Sequence, residues 1–342
     1  MGHATIRTVS NDINKPAQFP DIPQAIAAAS NGDTIYVNGT QYTYSDFTVN
    51  RKLVIIGAGF NVANQFNLIS TVNNIYFFKD AGINDASGSI ITGFKIGSLG
   101  LAGSTLLITN VKLFRNQIAG FDTYPNGVSS WSIYNNIVTG LINGRNGSNN
   151  IVIQNNIFYG GGFVANFNQP SVVVDHNLFI NVSNSLNNLQ FSIVTNNVFT
   201  SSSGTQVMAS VTQSTFNNNL ALSTNISPVS PTNNFLSGNN TGGGNQVGVN
   251  PLFVSVSDLN NYSTTFNYRL QSGSTGHLAG TDGTDLGIYG GSYPFPSGGT
   301  PGGGYDTSPF PPIPQINSVN IQNASVLPGA QLQVNVQATV NN

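Results

Sequence analysis

The chain has 342 residues, Lys+Arg 10 against Asp+Glu 12, a net charge of -2, only 6% charged residues and no cysteine, and every acid in it is Asp. A surface so neutral and so rich in Asn, Ser, Thr and Gly lacks the Glu and Lys that clothe helices, and points to an all-β fold. The 21 Phe and 12 Tyr supply a core and exclude a disordered chain; the lack of a basic run excludes a nucleic-acid partner, and the lack of Cys excludes disulfides and thiol chemistry.

At the start, Met1 to His3 read as a cloning remnant on a mature chain whose signal peptide is gone, which places the protein outside the cell or on its surface. No apolar run reaches the roughly 18 residues of a membrane span. Pro20 to Ala29 have a Pro-Asp start and an Ala-rich apolar run, which predicts a helix near 20–31 capping the open end of the fold. Strands follow at Thr34–Val37, after the Gly32-Asp33 turn, and over Lys52–Gly59.

A repeat then occupies the middle of the chain. It reads Ile133-Tyr134-Asn135-Asn136-Ile137, Ile153-Gln154-Asn155-Asn156-Ile157, Val174-Asp175-His176-Asn177-Leu178 and so on, with Asn fourth each time at Asn116, Asn136, Asn156, Asn177, Asn197 and Asn219. The steps are 20, 20, 21, 20 and 22 residues. A coil of about 20 residues cannot bury its own apolar face, so neighbouring coils must stack. An Asn in the same turn of every coil would pass amide hydrogen bonds along the stack as a ladder. Two residues after that Asn, Val138, Phe158, Phe179, Phe199 and Ala221 share a column, which predicts an internal aromatic stack.

The residues "FPDIPQAIAAASNGDTIYVNGTQY" and "KLVIIGAGF", with "NPLFV" at 250–254, "YRLQSGS" at 268–274 and "GTDGTDLGIYGG" at 280–291, resemble the pectate-lyase-like superfamily of right-handed parallel β-helices, specifically secreted bacterial members. The likeness covers residues 4 to about 293 and implies a right-handed parallel β-helix. It departs at Ser274-Thr275-Gly276-His277-Leu278, where relatives often read Ser-Pro-Ala-Ile-Gly, so an altered closing turn is expected. For function it implies little, because that superfamily holds lyases, hydrolases, adhesins and proteins of unknown role.

The β-helix is thus expected over 1–293. A Pro/Gly-rich linker covers 294–314, and 315–342 form a hairpin, Ile316–Ile321 and Ala330–Val340 joined at Leu327-Pro328-Gly329. A lone hairpin is marginal in water, which leaves three placements: docked on the body, part of a truncated Ig-like module, or paired with another chain. Docking on the body is favoured.

Chemistry is thinly supplied. Between residues 90 and 250 the only charges are Lys95, Lys112, Arg115, Asp122, Arg145 and Asp175, with His176 beside the last. Paired-acid hydrolysis needs two carboxylates on one face, and Asp122 and Asp175 sit at different points of their coils. Asp175-His176 interrupts the otherwise neutral columns Phe114, Tyr134, Gln154, Asp175, Thr195, Asn217 and Arg115, Asn135, Asn155, His176, Asn196, Asn218. Tyr134, Gln154, Asp175 and His176 are candidate carbohydrate contacts on adjacent coils about 4.8 Å apart. Arg115 as cation and His176 as base, with Asp175, are the candidate catalytic set of a lyase, the activity that the resemblance allows. The plainer reading has His176 bonding into the flank of the ladder. Asp282 and Asp285 suggest a cation loop, although side-chain turns explain them better, so no cofactor is expected and Ca²⁺ stays possible but unsupported. Trp131 is expected to be buried, and Phe163 either packs in the core or lines a groove.

The composition therefore favours a non-catalytic protein of adhesion, carbohydrate contact or extracellular assembly, partnered by a polysaccharide or another copy of itself. A polysaccharide lyase on an acidic glycan, and a filament subunit that exchanges its C-terminal strands, are the alternatives.

Overall fold

Most strands of the coils have two to four residues, too short to stand alone, and their backbone groups find partners in the coils above and below. A computed structural model shows the result, a parallel β-solenoid of about 9 turns. The structure describes residues 4–60, 68–103, 106–145, 147–170, 172–202, 204–228, 234–295, 315–322 and 331–339.

The first sheet has eleven parallel strands, Ile6–Val9, Thr34–Val37, Val54–Gly57, Ile90–Thr92, Lys112–Phe114, Ser132–Tyr134, Val152–Gln154, Val173–Asp175, Ile193–Thr195, Thr215–Asn217 and Thr241–Gly243, in that order. Their register matches the sequence repeat, with Ile133 beside Ile153 and Tyr134 beside Gln154, then Ile153 beside Val174 and Gln154 beside Asp175. The middle residues of the three-residue strands from Ile90–Thr92 to Thr215–Asn217, Ile91, Leu113, Ile133, Ile153, Val174, Val194 and Phe216, are buried, whereas Gly242 in the last strand is exposed.

The corner after this sheet is made by left-handed residues. Arg115, Asn135, Asn155, His176, Asn196 and Asn218 have φ of 56, 52, 51, 50, 58 and 51°, a conformation Asn tolerates better than most side chains. The turn sends the next Asn into the interior. There Asn116, Asn136, Asn156, Asn177, Asn197 and Asn219 are buried, and each donates through Nδ2 to the Oδ1 of the next at 3.0–3.2 Å. The column runs one coil further than the repeat suggests, to Asn245, whose Oδ1 accepts from Asn219 Nδ2 at 2.9 Å. That coil takes 26 residues, which hides it from a 20-residue period.

Past the ladder, Phe158, Phe179 and Phe199 stack with centroids 4.5 and 4.8 Å apart and near-parallel planes. Trp131 is buried, donates from Nε1 to Ile108 O at 2.9 Å and stacks on Phe121. Phe163 packs, partly buried, against the same core.

A second sheet of fifteen strands closes the coil and forks at the seven-residue strand Lys95–Leu101, which pairs with both Gln117–Ile118 and Phe121–Asp122. Later coils bend at the same point, and Gly140 makes the bend possible: a Cβ there would lie 1.6 Å from Ala119 O. The helix Ile22–Ala28 buries Ile22, Ala25 and Ile26 at the first coils, with Asp21 Oδ1 capping Gln24 N–H at 3.0 Å.

The C-terminal part of the body covers a second apolar stripe. Ile137, Ile157, Leu178, Val198 and Leu220, one from each coil, pack against Phe253, Tyr268, Leu270, Leu286, Ile288 and Phe295. Packing therefore continues to Phe295, past the point where the linker was expected to begin, and Phe295 N–H donates to Ile288 O at 2.7 Å. The rest of the linker, 296–314, the hairpin turn at 327–329 and Met1 to His3 lie outside the described residues.

The hairpin strands are Gln315–Ile321 and Val334–Thr339, antiparallel, with Val319 opposite Val336 and Ile321 opposite Val334. Those four share one face and all are exposed.

Candidate functional site

The surface column expected from the repeat exists as an alignment, but the chain's own end covers its flank. Residues 279–293 run down the left-handed column in reverse order. Asn218 Nδ2 donates to Ala279 O at 2.8 Å, Asn196 exchanges bonds with Thr281, His176 meets Thr284, Asn155 Nδ2 donates to Ile288 O and Gly290 O, and Asn135 Nδ2 donates to Tyr293 O at 2.8 Å. Of the candidates for ligand contact, this strap meets Tyr134 and His176 directly.

Tyr134 lies between Phe114 and Tyr293, with centroids at 4.9 and 4.5 Å. Burial, with Tyr293 alongside, pushes its hydroxyl up to about 12. Asp175 Oδ1 accepts from Thr195 Oγ1 at 2.7 Å and Asn196 Nδ2 at 2.9 Å, while Oδ2 meets His176 Nδ1 at 2.8 Å. Gln154 is half-buried between them. His176 is 1% exposed. Arg115 and His176 are separated by three rungs, about 14 Å at the usual strand spacing, so the cation and base of the candidate lyase set are not brought together. Asp282 and Asp285 form no shared loop either: Asp282 Oδ1 accepts from Thr284 Oγ1, and Asp285 Oδ1 bonds His277 Nδ1 and Leu278 N–H. Among the described residues no three His or Asp side chains gather as metal ligands.

An open site lies on the second sheet. Asp122 ends the strand Phe121–Asp122, and its carboxylate is held by four donors: Arg145 Nε at 3.0 Å and Tyr124 N–H at 2.8 Å on Oδ1, Arg145 Nη2 and Asn143 Nδ2, both at 2.8 Å, on Oδ2. The guanidinium sits 5.6 Å from the centroid of the Tyr124 ring. Tyr124 is 65% exposed and Arg145 44%. Amides continue the network over the next coils, Asn166 Nδ2 to Asn143 Oδ1 at 2.7 Å and Asn188 Nδ2 to Asn166 Oδ1 at 2.9 Å.

Asp122, Tyr124 and Arg145 rim a groove of about 400 Å³ floored by Ser98, Leu99, Gly100 and Leu101. Gly100 keeps the floor low beside Tyr76, its partner in register, whose ring a Cβ would touch at 3.7 Å. Beyond Tyr76 a second groove runs past Asp46, Asn50, Pro23 and Ala27 to the helix.

Burial pushes the Asp122 carboxyl upward, yet Arg145, Tyr124 N–H and Asn143 outweigh it and hold the group below the ordinary carboxylate range. Each of its oxygens already accepts two bonds, so it acts as a fixed anion that aims Arg145 rather than as an acid or base. What the groove offers a ligand is the Arg145 guanidinium, the hydroxyls of Ser98 and Tyr124, and the aromatic face of Tyr124.

Composition shows Asp122 and Arg145 only as isolated charges. The available signal is their spacing of 23 residues, one coil and a short offset, which puts carboxylate and guanidinium on adjacent rungs. Asn143, Asn166 and Asn188 escape the repeat because they stand outside its Asn-Asn motif. No protein-family model matches the chain, and no curated protein matches it either. The site is judged on its own chemistry.

Proposed function

We propose that the protein is a non-catalytic, extracellular or cell-surface β-helix that contacts a polysaccharide through the groove of Tyr124 and Arg145. The observation that carries this reading is the exposed Tyr124 ring beside a guanidinium already oriented by Asp122. Aromatic faces cover the apolar side of a pyranose, and a held guanidinium bonds its ring substituents without first losing side-chain freedom. The separation of Arg115 from His176 disfavours lyase chemistry.

The test is binding to a broad panel of neutral and acidic glycans, with and without Ca²⁺. Tyr124→Ala and Arg145→Ala should each weaken the best binding at least about tenfold, the loss of one stacked or charge-assisted contact. Silence across the panel, or variants that bind like the parent, would overturn the reading.

A second reading, assembly through the C-terminal hairpin, has one observation in its favour: Val319, Ile321, Val334 and Val336 form an uncovered apolar face. Ending the chain at residue 295 and measuring its mass in solution decides it, because an unchanged assembly state removes the hairpin as the joint.

A further inference from the structure

Two grooves lie end to end on the second sheet, and the strand register shows where they meet. Thr48, Tyr76 and Gly100 occupy successive rungs; Gly100 is level with Asp122, because Leu99 pairs with Phe121, and Asp122 pairs with Asn143. Those four steps make about 19 Å along the solenoid axis at the usual strand spacing. The groove of Tyr124 and Arg145 takes one end of the run. At the other end a groove of about 400 Å³ is lined by Pro23, Ala27, Asp46, Thr48, Asn50 and Tyr76. Gly100 is the saddle between them. Having no side chain, it raises no barrier between the Tyr76 ring, 37% exposed, and the Tyr124 ring, 65% exposed.

The charges along this run decide what can lie in it. A guanidinium has five N–H donors, and Arg145 gives one from Nε and one from Nη2 to Asp122, which leaves three for a ligand. Its positive charge, however, is already matched by the Asp122 carboxylate at 2.8 Å. Asp46 stands differently. Its Oδ1 and Oδ2 accept from Asn74 N–H at 2.9 Å and Asn74 Nδ2 at 2.7 Å, and among the described residues no cation pairs with it. Of the cations on its own and the next coil, Arg51 donates to Ala29 O and Asn50 Oδ1, Lys52 runs past Gly88, and Lys79 pairs with Asp85. The run thus holds one matched ion pair and one unmatched carboxylate. An anionic sugar meets repulsion at Asp46 with no net positive charge to offset it. Hydroxyls, by contrast, donate to Asp46 and accept from Arg145, and the apolar faces of uncharged sugar rings cover the two tyrosines.

We infer that the ligand is a neutral, linear polysaccharide that lies along the solenoid axis, across the strands, from Arg145 and Tyr124 over Gly100 to Tyr76 and Asp46. The inference rests on the reading of the Tyr124 groove as a polysaccharide site, and adds to it a second subsite, a direction and a charge class. Stacked coils suit such a ligand, since they repeat one outward position at every rung and so present a long straight trough.

The test titrates the full chain with the best neutral and the best acidic glycan of the panel, each as a disaccharide and as a hexasaccharide. The neutral hexasaccharide should bind at least about tenfold more tightly than its disaccharide, and at least about tenfold more tightly than the acidic hexasaccharide. Tyr76→Ala should remove the gain with length. Gly100→Val should remove it too, by raising the saddle; a Cβ at Gly100 makes only ordinary contacts, 3.7 Å to the Tyr76 ring and 4.0 Å to Asp122 O, so the fold has room for it. Asp46→Asn should narrow the preference for the neutral glycan. A disaccharide that binds as well as the hexasaccharide, a gain with length that survives Tyr76→Ala, or acidic glycans bound as tightly as neutral ones would overturn the inference. Binding that still depends on Tyr124 and Arg145 would in those cases leave the first reading standing, whereas silence across the panel ends both.

Discussion

Asn156 and Asn177 are 21 residues apart in the chain and in direct contact in space: the backbone N–H and the Nδ2 of Asn156 both donate to Asn177 Oδ1, at 2.9 and 3.0 Å. Asn156 Nδ2 also reaches Ile133 O and Gln154 O, both at 2.9 Å, while its own oxygen accepts from Asn136. One buried amide thus ties three coils together, and Asn156→Ala strands donors and acceptors in each. The expected loss is about 3 kcal/mol, the scale of leaving buried polar groups unpaired. Asn188→Ala loses one exposed amide bond and places Ala at a φ of 51°, and should cost clearly less, about 1 kcal/mol. Urea unfolding of the two variants makes the comparison, and equal losses would deny the ladder its role.

The Phe stack is the apolar counterpart of the ladder. Phe179 is buried between Phe158 and Phe199, so Phe179→Ala opens a cavity that the flanking rings cannot fill. It should lower stability by about 3–5 kcal/mol in thermal or urea unfolding, with Phe179→Leu losing clearly less.

Acid should loosen the N-terminal coils first. Asp33 is 2% exposed, accepts from Ser30 N–H at 2.9 Å and Thr5 N–H at 2.8 Å, and pairs with Arg7 at 3.0 Å. The Ser30 bond leads in holding its carboxyl below the ordinary range, against a burial that pushes upward; Thr5 and Arg7 add to it. A depressed folded-state value gives stability that is present above the unfolded carboxylate range, about pH 4, and is lost as the pH falls below it. Asp33→Asn should cost about 2–3 kcal/mol near neutrality and flatten the acid side of the stability curve. An unchanged acid limb would contradict this.

Glycine corners should be selectively intolerant. Gly140→Ala meets Ala119 O at 1.6 Å and must displace the backbone, whereas Gly243→Ala meets nothing within 4 Å. The first should unfold the middle coils or lower the melting temperature by about 10 °C or more, and the second should be nearly silent.

Much of this architecture is legible in the residues. The phase of Asn116 to Asn219 predicts a stacked register, and Ile133, Ile153 and Val174 do lie side by side. Asn245 is not legible, because its coil is longer than the period. The groove is not legible either, since Asp122 and Arg145 meet only after the strand Lys95–Leu101 forks into two shorter ones.

The sequence by itself determined the parallel stack, the amide spine and the aromatic column, because each depends on one spacing repeated along the chain, and stacking turns a repeat directly into contact. Tertiary structure alone decided which surface stays open. Residues 279–293 return across the column of Tyr134, Asp175 and His176, contacts spanning more than 100 residues that no local period encodes. They fold back because Leu286, Ile288 and Phe295 must cover the stripe of Ile157, Leu178 and Val198, and burying that stripe leaves the groove beside Tyr124 facing solvent.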